Sequence, residues 1–283
     1  LKSLEKSLDE ISLIVDEAHN LPNTAIEIAC DRLSAFTLRR AEQEARNYDH
    51  EDVAAFCQRF KAIIERMAIR VKDEEYVPPD FLIEMIRAKA GIDAPLSFFD
   101  HLHRTGNAVK RNLLAQGKYP RSFIHTMGEF LLKWLETLDD ASFTHVLSKY
   151  VTRAGVASAR LEVVALDPSK ITQPVFSSVY CSINMSGTLE PLESYAEITR
   201  LPEQTIKRAL PSPFPKEHIL PLVCRGVTTA MKYRTRSMYK KLVKRIAEAV
   251  RYTPEGNIGV FTASYEVSRG LLDAGVEDAI EKR

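Results

Sequence analysis

Two short apolar runs about 165 residues apart, Ile11 to Val15 and Cys181 to Met185, constrain this chain more than any other feature. The first has the length and composition of a parallel strand buried on both faces, and it ends in Asp16-Glu17-Ala18-His19. A crossover between parallel strands needs only about a dozen residues. The far longer interval therefore predicts a domain inserted into an α/β sheet that resumes afterwards.

The insertion, from Asn23 to about Arg160, has mainly helical periodicity. Val53, Phe56, Cys57, Phe60, Ile63, Ile64, Met67 and Val71 form one stripe. Phe123, Met127, Phe130, Leu131, Trp134, Leu135 and Leu138 form another, which runs on past Asp139-Asp140 into Phe143, Val146, Leu147 and Tyr150. Both read as core faces, with breaks at Pro78-Pro79 and Gly91. Leu161 to Leu166, rich in Val and Leu, is expected to be a strand of the resumed sheet. After Pro191 a proline-rich connection opens another domain. That domain is expected to hold a helix near Arg236 to Tyr252, buried through Tyr239, Leu242, Val243, Ile246 and Val250, and a strand from Ile258 to Ala263. The expected segments are thus 1–22, 23–160, 161–192 and 193–283. A chain that starts ten residues ahead of a strand and closes soon after a lone one reads as a piece of a longer protein.

Hydrophobic residues make up 45% of the 283 and charged ones 27%, which excludes extensive disorder. Cys30, Cys57, Cys181 and Cys224 are widely spaced, with no Cys-x-x-Cys pair, as in a reduced compartment. No stretch approaches the ~20 apolar residues of a membrane span, and the first ten residues carry both charges. A cytoplasmic protein is expected, or a nuclear one in a eukaryote, with no membrane partner. The formal net charge of +1 conceals segregation. Gly226 to Ala247 holds seven Lys or Arg and no acid, and His101 to Gly128 holds Arg104, Lys110, Arg111, Lys118 and Arg121, also without an acid. Such runs suit phosphate binding, with Tyr119 or Phe123 as a stacking face, or equally a solvated helix face; Phe123 itself belongs to the apolar stripe.

Paired carboxylates at the C-terminal end of a strand lie where α/β sheets border their ligand crevice. In nucleotide hydrolysis one such acid holds magnesium, usually through water, and the other orients or deprotonates the attacking water. Asp16 and Glu17 fit these roles, Asp16 as the metal residue; a surface pair is the alternative.

Leu13-Ile14-Val15-Asp16-Glu17-Ala18-His19-Asn20-Leu21 resembles the DEAH motif of superfamily 2 helicases, in the DEAHN form of XPD-like enzymes. Met185-Ser186-Gly187-Thr188-Leu189-Glu190-Pro191-Leu192 resembles the Ser-Gly-Thr-Leu motif III of the same family, and Gly256 to Tyr265 resembles its motif IV. The resemblance implies RecA-like motor portions with a helical arch insertion, in an ATP-dependent 5′ to 3′ DNA helicase of nucleotide excision repair type. It implies ATP and magnesium as cofactors, a [4Fe-4S] cluster in the complete protein, and single-stranded DNA, DNA forks and repair-complex proteins as partners. Catalytic roles would fall to Asp16, Glu17 and His19, and coupling to Ser186, Gly187 and Thr188. DNA contacts are expected from Arg104, Lys110, Arg111, Lys118, Arg234, Arg236 and Tyr265, although Tyr265 at a strand end also suits core packing and His19 a structural role. No Gly-x-x-x-x-Gly-Lys-Ser/Thr loop occurs, the later arginine motifs are missing, and none of the cysteines precedes the DEAH motif, where the family keeps its cluster ligands. Sister iron-sulfur helicases remain open, as does a non-catalytic scaffold whose arch binds DNA or protein.

Overall fold

The apolar run before Asp16 forms β1 (Ser12–Val15), and the run before Ser186 forms β6 (Cys181–Asn184). They pair in parallel, with Ser12 opposite Cys181 and Val15 opposite Asn184, so the whole intervening segment is the crossover. The computed structural model describes residues 6–152, 155, 157–218, 220–252 and 257–281. The chain divides into two units, Leu1–Arg208 and Ala209–Arg283. Among the described residues β1 and β6 form a sheet of two strands, and Ile14 is 64% exposed. Burial of β1 on both faces is therefore not found: its residues alternate between exposed and half-buried, and among the described residues only β6 pairs with it.

In the first unit, α1 (Leu21–Ala29) leads to β2 (Asp31–Ser34), and Ser34 caps α2 (Ala35–Asn47) by accepting the Thr37 N–H. Helix α3 (Glu51–Ala68) starts with two acids against the helix dipole and buries the expected stripe. After β3 (Glu74–Tyr76), α4 (Pro79–Met85) begins at the Pro-Pro break. It runs into a π-helical turn, Ile86–Ala90, which Gly91 closes at φ 70°. Helices α5 (Pro95–Ala115) and α6 (Phe123–Glu136) then pack against each other.

The next segment departs from expectation. Phe143 to Tyr150 is not helical but lies in β4 (Phe143–Val151), hydrogen-bonded to β5 (Ala157–Ala165) with Phe143 opposite Ala165. These join β2 and β3 in a four-stranded antiparallel sheet ordered β2-β5-β4-β3. Leu161 to Ala165 thus belongs to that sheet, not to the one containing β1. The sheet and α2 to α6 share one core, in which Leu33, Leu147, Leu161 and Val163 meet Phe56, Phe60, Phe99, Phe130 and Trp134. The Trp134 indole donates to the Pro79 carbonyl over 3.1 Å. Helix α7 (Ser169–Ser178) then leads to β6, and α8 (Leu192–Thr199) completes the ordered elements of this unit.

In the second unit, α9 (Arg236–Val250), α10 (Tyr265–Asp273) and α11 (Val276–Glu281) gather around Val243, Val267, Leu271 and Val276. Thr235 and Ser264 cap α9 and α10. The strand expected from Ile258 to Ala263 does not form. Among the described residues it has no neighbouring strand to bond, and Phe261 stands 99% exposed.

Candidate functional site

Asp16 and Glu17 leave β1 in a sharp turn. Glu17 takes left-handed backbone angles, φ 49° and ψ 42°, and its N–H donates to Asp16 Oδ1 at 2.8 Å. An uncommon conformation for a residue with a side chain, it is held from both sides: the Met185 N–H donates to the Val15 carbonyl and the Ala18 N–H to the Met185 carbonyl, each at 3.0 Å. The same two bonds seat Ser186 against the turn.

The Ser186 hydroxyl donates to Glu17 Oε2 at 3.1 Å, a contact across 169 positions of sequence. It accepts the Thr188 N–H at 3.2 Å, and His19 Nδ1 lies 2.7 Å away. A hydroxyl has one hydrogen to give, so with that hydrogen on Glu17 the contact to His19 requires the imidazole to donate from Nδ1. Nδ1 also lies 3.3 Å from Thr188 Oγ1 and 3.3 Å from Glu17 Oε2. Glu17, His19, Ser186 and Thr188 therefore form one polar cluster, and Asp16 adjoins it through the backbone. All of these side chains are reachable from solvent. Gly187 lies on the turn, where an added Cβ would meet nothing within 4 Å.

A neighbouring residue carried no sequence signal. The Tyr195 hydroxyl of α8 donates to Asn184 Oδ1 at the end of β6, at 3.1 Å, and burial pushes its pKa up to about 12. It stays a neutral donor bracing the strand end just before Ser186.

The acid-free stretch folds into α5, the turn after it and the start of α6. Arg104, Lys110 and Arg111 line one shallow groove with Asn107, Leu114 and Pro120, and Arg104 is paired with Asp100 at 2.7 Å. Lys118 lies outside this lining and donates to Gln116. Phe123 is packed on the core, with Arg40 and Arg121 over its ring at 5.2 and 4.9 Å, whereas Tyr119 stands 84% exposed.

In the second unit, Arg234 is committed internally: its guanidinium bonds Glu266 at 2.5 Å and the Thr229 carbonyl at 2.9 Å. Arg236 lines an open basic face of α9 with Lys240, Lys241 and Lys244. Tyr265, expected at a strand end, is instead the first residue of α10 and is 96% exposed, so core packing does not account for it.

The cysteines are dispersed. Cys57 is buried against Met127, Cys30 accepts the Ala165 N–H, and Cys181 meets Ser12. They do not fit an iron-sulfur cluster, whose ligands must converge. Among the described residues no helix is long and apolar enough to cross a membrane.

Strand-end acids thus meet a second polar motif on the neighbouring parallel strand, and the crossover between the two strands carries helices and a small antiparallel sheet. A family model described as the helical and beta-bridge domain matches residues 41–250. The chain belongs to this family, that of the XPD/Rad3 helicases. It is similar to the general transcription and DNA repair factor IIH helicase subunit XPD/RAD3 of Saccharomyces cerevisiae, with 23% identity over 93% of this chain. The match covers 41% of that protein, so the chain spans less than half the length of its relative.

Proposed function

We propose that this chain is the central part of an ATP-dependent 5′ to 3′ DNA helicase acting in DNA repair, in which β1, β6 and their loops belong to a RecA-like motor domain and residues 209–283 open a second one. The observation that carries this reading is the Ser186–Glu17 hydrogen bond, which joins the hydrolytic motif to a motif on the neighbouring strand.

Bound magnesium would neutralise charge on the ATP phosphates. Asp16, an exposed carboxylate at a strand end, suits a hydrated cation, and Glu17 suits the water, accepting its proton as it attacks. Ser186 and His19 hold the Glu17 carboxylate in place, with Thr188 bonded to both of them, so a shift of the turn at Ser186 re-aims the base. This gives DNA-driven movement a route to hydrolysis. The groove of Arg104, Lys110 and Arg111 suits the phosphates of single-stranded DNA at a fork, and the basic face of α9 around Arg236 suits the same chemistry. The phosphate loop, the arginine motifs and the ligands of a [4Fe-4S] cluster would come from other parts of the complete protein.

Glu17→Gln in the complete protein tests the assignment, because the amide keeps the shape and loses the base. ATP binding is expected to persist while steady-state turnover falls by at least about a hundredfold. Wild-type turnover would refute it.

A further inference from the structure

Helices α5 and α6 approach so closely that no side chain fits at two crossing positions. A Cβ on Gly106 would lie 2.3 Å from the His125 backbone nitrogen, and one on Gly128 would lie 2.7 Å from that of His103. The approach presses the imidazoles of His103 and His125 together, their centroids 4.6 Å apart. Glu129, four residues on from His125, shares its helix face. One ligand atom from each of His103, His125 and Glu129 lies within 4.8 Å of the others.

We propose that His103, His125 and Glu129 form a binding site for a divalent transition-metal ion, best suited to zinc, that ties α5 to α6 beside the basic groove.

Two imidazole nitrogens and one carboxylate oxygen are a donor set zinc accepts when water fills the fourth position, whereas magnesium and calcium prefer oxygen alone. Zinc bonds of about 2.0–2.2 Å place tetrahedral donors roughly 3.4 Å apart. At its widest, 4.8 Å, the cluster must therefore contract by about 1.4 Å. His125 is the fixed member, buried, with its backbone N–H capped by Ser122 Oγ at 3.1 Å. The half-buried His103 and the exposed Glu129 have the freedom to close on it.

Without metal the ring of His125 is fully engaged, with Nδ1 bonded to Glu129 at 2.8 Å and Nε2 accepting from the Lys110 ammonium at 3.4 Å. Coordination at Nδ1 moves the ring proton to Nε2. The Lys110 ammonium then loses its acceptor, faces an N–H donor beside a bound cation and must swing out into the groove it lines. The Asn107 amide nitrogen lies 3.5 Å from His103 Nε2. Lys110 is thus a built-in competitor, and removing its charge should strengthen metal binding, which a plain structural cluster would not do.

The test uses the untagged 283-residue chain, stripped with chelator and titrated with Co²⁺ followed by visible absorption and with Zn²⁺ by calorimetry. One equivalent should bind, with Zn²⁺ displacing Co²⁺. His103→Ala and Glu129→Gln should each weaken binding by at least about tenfold, the scale of losing even an outer partner of a metal site. Lys110→Met should tighten it by on the order of tenfold. Circular dichroism checks the fold of each variant, and should His103→Ala lose structure, the exposed Glu129→Gln decides alone. No saturable equivalent, affinity unchanged in the folded ligand variants, or weakened binding in Lys110→Met would each overturn the proposal.

Discussion

Ser186 earns its position through what it touches: one hydroxyl donates to Glu17, accepts from Thr188 and meets His19 Nδ1. The residue types were legible in the sequence, since adjacent acids after a strand and Ser-Gly-Thr after another both point to a strand-end site. Their mutual hydrogen bonds were not, because no spacing rule predicts contacts across 169 positions. The cysteines illustrate the converse, their dispersal being legible but their environments not. Cys57 is buried in the core, and burial pushes its thiol up to about 12, so it stays protonated throughout the neutral range. Cys181 and Cys224 are exposed. Iodoacetamide at neutral pH should therefore label Cys181 and Cys224 in the native chain and spare Cys57 until denaturant is added, as peptide mass mapping would show. Native labelling of Cys57 would contradict the packing described.

Helices α3, α6 and α9 follow the apolar periodicity of their segments closely, because each lays a single stripe on a core. Strand β4 escaped the same reading for a physical reason. Its inward positions Phe143, His145 and Leu147 alternate properly, but His145 is polar, buried, and satisfied by Thr137 at 2.9 Å, while Phe143, Val146, Leu147 and Tyr150 imitate helical spacing. Strands β2 and β3 are short and charged, with Asp31, Arg32, Glu74 and Glu75, and gain their order from pairing with β5 and β4. The buried Glu162 of β5 shows how that sheet tolerates charge, held by Arg32 at 2.9 Å and Arg160 at 2.8 Å. The α5–α6 contact makes a sharper claim. Gly106→Ala places a methyl against backbone, so thermal or urea unfolding should show a loss of about 1–3 kcal/mol, and an unchanged midpoint would contradict the close crossing. On the outer side of α5, Arg104→Glu with Arg111→Glu should weaken single-stranded DNA binding by the complete protein. It should also flatten the salt dependence by about 0.7 log unit per log unit of salt for each lost phosphate contact. Fluorescent oligonucleotide titrations at several salt concentrations measure this, and unchanged slope and affinity would remove the groove from the DNA path.

At the scale of the whole molecule, the chain places two motifs from distant sequence on adjacent parallel strands and interposes a domain with its own sheet and core. This arrangement was legible as an insertion because the interval far exceeds a crossover, while its antiparallel sheet and the absence of a strand at Ile258 to Ala263 depend on long-range pairing. The central claim is that the Glu17 turn and the Ser186 turn act as one device in DNA-dependent hydrolysis. A double-mutant cycle with His19→Ala and Ser186→Ala in the complete protein tests it most directly, read as DNA-stimulated kcat with ATP binding measured alongside. If the two side chains act together, the double variant should turn over about as slowly as the worse single one, with ATP binding retained. Losses that multiply, or a Ser186→Ala enzyme with wild-type DNA stimulation, would contradict the account.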